Sequence, residues 1–218
     1  MSHRSIGEGG LYVEFSKITF YNVIMLRFAD TFYLVRHGQT DKNREGEVQG
    51  WSNVPLNSIG MAQAAALIPI AKEIGITYVI TSDLSRAEKT GWFIADGLGI
   101  EIVQDWRLRE CDFGNYTGAK DMLFNQETVK KIQAETKTNK AESIDDVFGR
   151  VKSFLDDLKC DSKTLIVSHG ATMRFIMYYM ENNGRIDKNA FIQYACTTHI
   201  PNAQIFAFTT RQKFEMVR

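Results

Sequence analysis

The sequence has little of what marks several specialised classes of protein. It contains three cysteines and three prolines in 218 residues. Cys111, Cys160 and Cys196 are widely spaced and odd in number, so neither a disulfide framework nor a zinc knuckle is indicated. We expect reduced thiols in a cytoplasmic protein. No apolar run is long enough to span a bilayer, and no segment combines the apolar stretch and cleavage site of a secretory signal.

An excess of one charge sign is also missing. Lys plus Arg and Asp plus Glu number 26 each, so the formal net charge is zero. Proteins that bind nucleic acids or membrane surfaces usually carry a basic excess. We therefore expect neither nucleic acid nor membrane as a partner. The hydrophobic fraction of 44% is that of an ordinary globular protein with a core, and the length suits one large domain.

Short apolar runs alternate with amphipathic segments from Thr31 onward. The predicted strands are 31–35, 77–81, 100–104 and 164–168, and the predicted helices are 58–74, 85–98, one that begins at Ser143, and 172–180. Segments 204–209 and 213–217 are predicted to form a closing hairpin. Strands that alternate with helices predict an α/β fold, here a three-layer α/β/α sandwich around a mostly parallel sheet.

Two segments depart from this pattern. Residues 1–30 are predicted to be an N-terminal extension, either an added strand or hairpin within 11–26 or a poorly ordered tail. An added strand at the sheet edge would allow a homodimer to form by edge pairing. Residues 31–218 would form the main domain. Within it, residues 115–142 are polar and rich in lysine, which predicts a lid or insertion.

Polar residues of unusual kinds follow the predicted strands, where open α/β sheets bind ligands. They are Arg36, His37 and Gly38 after the first strand, Ser82, Asp83 and Arg86 after the second, Glu110 after the third, and His169 with Gly170 after the fourth. Each alone has an ordinary structural explanation. However, two of the four histidines occupy equivalent positions before a glycine. This conjunction predicts that the residues share one site.

The residue types in this set indicate an anion site. Two histidines and a carboxylate would suit a metal ion, but two arginines beside them would repel a cation and bind phosphate oxygens instead. We therefore expect neither a metal nor a cofactor. A neutral imidazole can attack phosphorus, and arginines can stabilise the charge on the transferring group. A carboxylic acid, here Glu110, can protonate the leaving oxygen and then activate water.

The motifs around these residues resemble those of the histidine phosphatase superfamily, in its phosphoglycerate-mutase-like branch. In chain order they are Arg36-His37-Gly38-Gln39-Thr40 with Asn43, Gln49-Gly50-Trp51, Thr81-Ser82-Asp83-Leu84-Ser85-Arg86-Ala87, Leu108-Arg109-Glu110 with Asp112-Phe113-Gly114, Ala141-Glu142-Ser143, and Ser168-His169-Gly170. The resemblance implies a phosphoglycerate-mutase-like fold. It also implies that His37 is the phosphorylated nucleophile and Glu110 the proton donor.

The same resemblance implies the remaining site residues. Arg36, Arg86 and His169 would bind the transferring phosphoryl group, with help from Asn43. Further residues of the phosphate and substrate pocket would be Gly38, Thr40, Gln49, Gly50 and Gly170.

Phosphatases and mutases both occur in this branch. The mutases typically carry a basic residue and His-Tyr-Gly after the acid, and then an arginine pair that grips a second acidic group. Here Cys111-Asp112-Phe113-Gly114 follows Glu110, and no arginine lies between Cys111 and Glu142. The sequence therefore favours a metal-independent phosphatase acting on a small phosphorylated metabolite over a bisphosphoglycerate-dependent phosphoglycerate mutase. A non-catalytic phosphate-binding or scaffolding protein is a third interpretation, which the presence of both nucleophile and acid disfavours.

Overall fold

The computed structural model describes residues 31–120, 125–158 and 163–209. Within these ranges five strands form one sheet in the order β3-β2-β4-β1-β5. The strands are β1 (Thr31–Arg36), β2 (Tyr78–Thr81), β3 (Glu101–Gln104), β4 (Thr164–Ser168) and β5 (Ile205–Thr209). All neighbouring strands are parallel except β1 and β5, which are antiparallel. The sheet is thus mostly parallel, as the sequence predicts.

Helices cover both faces of the sheet. They are α1 (Asp41–Arg44), α2 (Ser58–Ile74), α3 (Ser85–Leu98), α4 (Gln126–Ala134), α5 (Thr136–Asn139), α6 (Ile144–Asp157), α7 (Gly170–Glu181) and α8 (Lys188–Thr197), with short 3₁₀ helices at Trp106–Leu108 and Gly114–Tyr116. Among the described residues, no helix is both long enough and apolar enough to cross a membrane.

The central strand β4 shows why the fold has three layers. Its five residues are all buried, because a parallel strand at the centre of such a sheet is covered on both faces. Leu165 and Val167 pack in the core cluster of α2 and α3, whereas Ile166 packs in the cluster of α6, α7 and α8. Successive side chains of a strand point to opposite faces. The α/β/α sandwich predicted from the sequence is confirmed.

The predicted helix boundaries follow from capping residues. The Asn57 side chain accepts a hydrogen bond from the Gly60 N–H at the start of α2, and α3 ends at Gly99, whose φ of 67° suits glycine. Ser143 and Asp146 form the predicted capping box of α6. These local signals place the helix ends within a residue or two of their predicted positions.

Some elements differ from the prediction or lie beyond the description. The segment 115–142 contains α4 and α5, and α8 follows α7; none of these three helices was predicted. β5 matches the first strand of the predicted hairpin, but it pairs with β1, and 213–217 lies outside the described residues. The same holds for the extension 1–30 and for Cys160, so these predictions stay open.

Candidate active site

The two strand-end histidines lie side by side. β1 and β4 are adjacent and parallel, with Arg36 opposite Ser168 in the register, so His37 and His169 leave the sheet at the same edge. Their ring centroids are 5.1 Å apart, and both residues are buried. The convergence predicted from strand order is therefore present in the structure.

Hydrogen bonds fix the tautomer of His37. Its Nδ1 lies 2.7 Å from the carbonyl oxygen of Gly38, which can only accept, so Nδ1 carries the proton and Nε2 has the lone pair. The Arg86 Nε donates to this Nε2 at 3.3 Å. Burial, with the nearby charges of Arg86 and Arg36, holds the pKa of His37 well below its usual range. The ring is neutral at physiological pH, as a nucleophile must be.

Arg86 is the most rigidly held cation of the site. Its guanidinium donates to the carbonyl oxygens of Ser52 and Gly50, both at 2.8 Å, and the residue is fully buried. Burial lowers the pKa of Arg86 to about 10, so it remains charged at neutral pH. The loop before α2 therefore holds this charge beside the lone pair of His37.

Two buried polar atoms lack a partner among the described residues: Arg36 Nε and His169 Nδ1. The other ends of these side chains are anchored, because Arg36 Nη1 donates to the Ile200 carbonyl at 2.7 Å and His169 Nε2 lies 2.9 Å from Ser82 Oγ. An unsatisfied buried polar atom costs roughly 1–3 kcal/mol. Anion oxygens bound next to His37 would provide the missing partners.

The side chain of Glu110 lies against the N-terminus of α7, the helix that begins directly after His169. Its carboxylate accepts hydrogen bonds from the backbone N–H groups of Ala171 and Thr172, both at 3.1 Å, and from that of Cys111 at 3.0 Å. A helix N-terminus favours negative charge. The helix that begins beside His169 thus also fixes the position of the Glu110 carboxylate.

The main chain around Glu110 is held by Arg150, which the sequence analysis did not single out. Its guanidinium donates to the carbonyl oxygens of Arg107, Arg109 and Glu110 at 2.6–3.1 Å. It also forms a two-pronged ion pair with Glu142 at 2.8 and 2.9 Å. The segment that carries Glu110 is thereby tied to α6.

A cavity of about 270 Å³ opens beside these groups. Eight of the predicted site residues line it: Arg36, His37, Asn43, Gln49, Gly50, Arg86, Glu110 and Gly170. His169, Gly38 and Thr40 do not line its surface. His169 is fully buried beside His37. Within residues 31–120, 125–158 and 163–209, no three His, Cys, Asp or Glu side chains are grouped so that they could hold a metal ion.

Gly38 and Thr40 have supporting positions behind the cavity. A Cβ on Gly38 would lie 2.4 Å from the Gly60 carbonyl oxygen, so the close approach of the loop after β1 to α2 requires glycine there. Thr40 is buried and donates through Oγ1 to Gln49 Oε1 at 3.0 Å, and its backbone N–H donates to Asn43 Oδ1. Thr40 therefore orients two pocket residues, and the phosphate-pocket role expected for it from the sequence stays a prediction.

Arg174 is a further cation of the cavity that the sequence analysis missed. It lines the cavity from α7, and its Nε donates to the Thr198 carbonyl at 2.7 Å. Burial lowers the pKa of Arg174, and the charge of Glu110 opposes this. The sequence does indicate this position, because Arg174 stands four residues after Gly170 and therefore shares its helix face.

A family model described as the histidine phosphatase superfamily (branch 1) matches residues 32–205. The chain belongs to this superfamily. Among curated proteins, it is similar to the "Probable phosphoglycerate mutase GpmB" of Cronobacter sakazakii, with 39% identity over 150 residues, which are 65% of this chain and 70% of that protein. The protein of the same name from Escherichia coli O1:K1 / APEC is 38% identical over the same shares.

Solved structures of this histidine phosphatase fold are also similar. A mycobacterial glucosyl-3-phosphoglycerate phosphatase, Rv2419c, solved with VO3, gives a TM-score of 0.67 at 20% identity and covers 82% of this chain and 90% of its own. TTHB049 from Thermus thermophilus gives 0.58 at 27% identity, over 81% and 92%. Superfamily membership makes this chain an enzyme of the phosphatase or mutase type.

Proposed function

We propose that the protein is a phosphomonoesterase that hydrolyses a small phosphorylated metabolite through a phosphohistidine at His37. The observation that carries this proposal is the neutral His37 with its Nε2 lone pair beside Arg86, next to the unpartnered atoms of Arg36 and His169. These groups provide a nucleophile and donors for the oxygens of a phosphoryl group. The donors are positioned before substrate arrives, so little reorganisation is needed during the reaction.

The reaction would proceed in two steps. First, His37 Nε2 attacks phosphorus, the bond from phosphorus to the ester oxygen breaks, and the leaving alcohol takes a proton from the Glu110 carboxylic acid. Second, Glu110, now a carboxylate, removes a proton from water, which attacks phosphorus and releases phosphate from His37. Arg36, Arg86 and His169 would hold the phosphoryl oxygens in both steps. No step needs a metal ion, so a chelator should leave the rate unchanged.

Phosphoenzyme formation is tested directly at His37. Incubation with a labelled phosphodonor should give a protein-bound label that is stable in base and labile in acid, and His37→Ala should abolish it. Absence of label in the wild type, or equal label in the variant, would reject the mechanism. For the acid, Glu110→Gln should slow hydrolysis of alkyl phosphates more than that of aryl phosphates, because good leaving groups need less protonation. Equal slowing would exclude Glu110 as proton donor.

A second candidate function is phosphoglycerate mutase activity. It is favoured by the names of the curated relatives and by the extra cation Arg174 in the cavity. Opposing it, Glu47, Asp112 and Glu142 also line the cavity and would repel a second phosphate. A bisphosphate-dependent isomerisation of phosphoglycerate that outruns phosphate release would reverse our preference.

Several expectations stay predictions. They are the cytoplasmic location, the homodimer, the absence of nucleic-acid and membrane partners, the domain limits, and the lid role of 115–142.

A further inference from the structure

Apolar side chains make up a large part of the cavity wall. Most come from α4, α6, α7, α8 and the loop after Glu110, and they include Phe113, Val129, Ile132, Ile144, Phe175 and Phe191. The proposed phosphate-binding groups Arg36, Arg86 and His169, by contrast, lie after β2 and at the ends of β1 and β4. The cavity therefore has two chemically different regions, one for an anion and one for an apolar group.

The apolar wall is fixed before any ligand binds. The rings of Phe175 and Phe191 are 4.1 Å apart between centroids, and Phe148 lies behind both at 4.7 and 4.9 Å. Ile132, Phe175 and Phe191 are each buried. A preformed apolar wall favours apolar ligand groups, because water leaves it and no side chain has to be ordered.

Polar side chains of the same cavity already have partners within the protein. Gln133 accepts a hydrogen bond from a backbone N–H of α6, and Ser143 is engaged in its capping box. Glu142 pairs with Arg150, and Asp112 accepts from a backbone N–H. Sugar hydroxyls would give up water here for few new hydrogen bonds, which is costly.

From this geometry we infer that the substrate is a small phosphate monoester whose alcohol carries a compact apolar group, either branched aliphatic or a single ring. This inference rests on the proposed phosphohistidine reaction and names its substrate class. The size of the cavity agrees, since about 270 Å³ is below the roughly 300–1,000 Å³ of typical ligand pockets. The space suits a small ester better than a phosphopeptide or a dinucleotide.

The wild-type enzyme provides the first test. Benzyl phosphate and isopentyl phosphate are compared with glycerol 3-phosphate, because all three are esters of primary alcohols. We expect kcat/KM to be at least roughly tenfold higher for the apolar esters, the effect of about one well-buried methylene group. Equal values, or a preference for glycerol 3-phosphate, 3-phosphoglycerate or a sugar phosphate, would overturn the inference.

A matched pair of variants locates the effect. Val129→Thr introduces a hydroxyl into the apolar wall without changing its size, and Val103→Thr makes the same change on the exposed strand β3. Val129→Thr should lower kcat/KM for benzyl phosphate several-fold more than for glycerol 3-phosphate, whereas Val103→Thr should change neither. If Val129→Thr does not fold, Ala195→Ser, which also faces the cavity, serves the same purpose. An equal loss for both substrates would count against an apolar subsite.

Failure of the inference is distinguishable from failure of the proposed function. Acetyl phosphate carries no apolar ring, so it reports on phosphoenzyme formation alone. Label at His37 from acetyl phosphate without an apolar preference would reject only the substrate class. No label from acetyl phosphate or from benzyl phosphate would reject the proposed function itself.

Discussion

Removing the Arg150 guanidinium should destabilise the protein strongly. Arg150→Met keeps the aliphatic length of the side chain but removes five hydrogen bonds, three to the main chain around Glu110 and two to Glu142. The side chains of Arg150 and Glu142 are only 4% and 15% exposed, so water can replace few of the lost partners. Breaking one side of a buried ion pair costs about 3–5 kcal/mol, because the remaining charge is left uncompensated.

The expected loss is large compared with the stability of a typical domain. For a chain of this length, each kcal/mol lowers Tm by about 2–4 °C, so Arg150→Met should lower Tm by about 6–20 °C. The free energy of unfolding is measured by urea denaturation, with an unchanged m-value as the sign of an intact two-state transition. Hydrolysis of alkyl phosphates should also slow, since the segment that carries Glu110 loses its support.

Two further variants make this test specific. Adding Glu142→Gln to Arg150→Met removes the unpaired charge, so the double variant should be less destabilised than the sum of the single variants, by about 1 kcal/mol or more. Lys152→Met is the matched control on α6, because its pair with Asp156 is exposed and should contribute little. A loss below about 1 kcal/mol for Arg150→Met, or additive effects in the double variant, would refute the role of Arg150.

Two more predictions concern stability. The pKa values of His37 and His169 are lowered by burial, so the unfolded chain binds protons below pH about 6.5 that the folded chain does not. The free energy of unfolding should therefore fall with decreasing pH by about 1.4 kcal/mol per histidine and pH unit. Urea denaturation of a variant with asparagine at both positions should show a weaker dependence of this free energy on pH. An equal dependence in the variant and the wild type would contradict the prediction. Gly38→Ala should cost about 1–3 kcal/mol, since its Cβ would meet the Gly60 carbonyl. Gly149→Ala, in open space within α6, should instead stabilise the protein by about 0.5–1 kcal/mol. A higher Tm for Gly38→Ala than for Gly149→Ala would show that a Cβ at position 38 is tolerated beside the Gly60 carbonyl.

The sequence was sufficient for the elements with strong periodic patterns. β4 has an apolar centre at residues 165–167, and α6 carries apolar residues at helical spacing after the Ser143 capping box. Both elements could therefore be identified without tertiary information. The place of the candidate active site could be predicted from these elements, because its polar residues follow the strands closely in the sequence.

Weakly patterned segments could not be predicted in the same way. In α4 only Ile132 is buried, and in α8 only Phe191 and Ile192 are, so neither helix has a full apolar stripe. These helices line much of the cavity. The apolar wall could therefore not be predicted from motifs of charged and catalytic residues. The role of Arg150 was missed for a related reason. It depends on carbonyl oxygens around Glu110, some forty residues away in the chain, and no side-chain motif records them.

Glu110 is held by the N-terminus of α7, so the groups proposed for the reaction and much of the apolar wall come from different helices. His169, Gly170 and two of the N–H groups that hold Glu110 belong to one helix end, so the proposed acid and part of the proposed anion site keep a fixed spacing. Part of the apolar wall comes from α4 and α8, which provide none of the proposed catalytic groups. Substitutions in those two helices could therefore retune substrate preference while the reacting atoms keep their geometry, which makes α4 and α8 the natural targets for altering specificity.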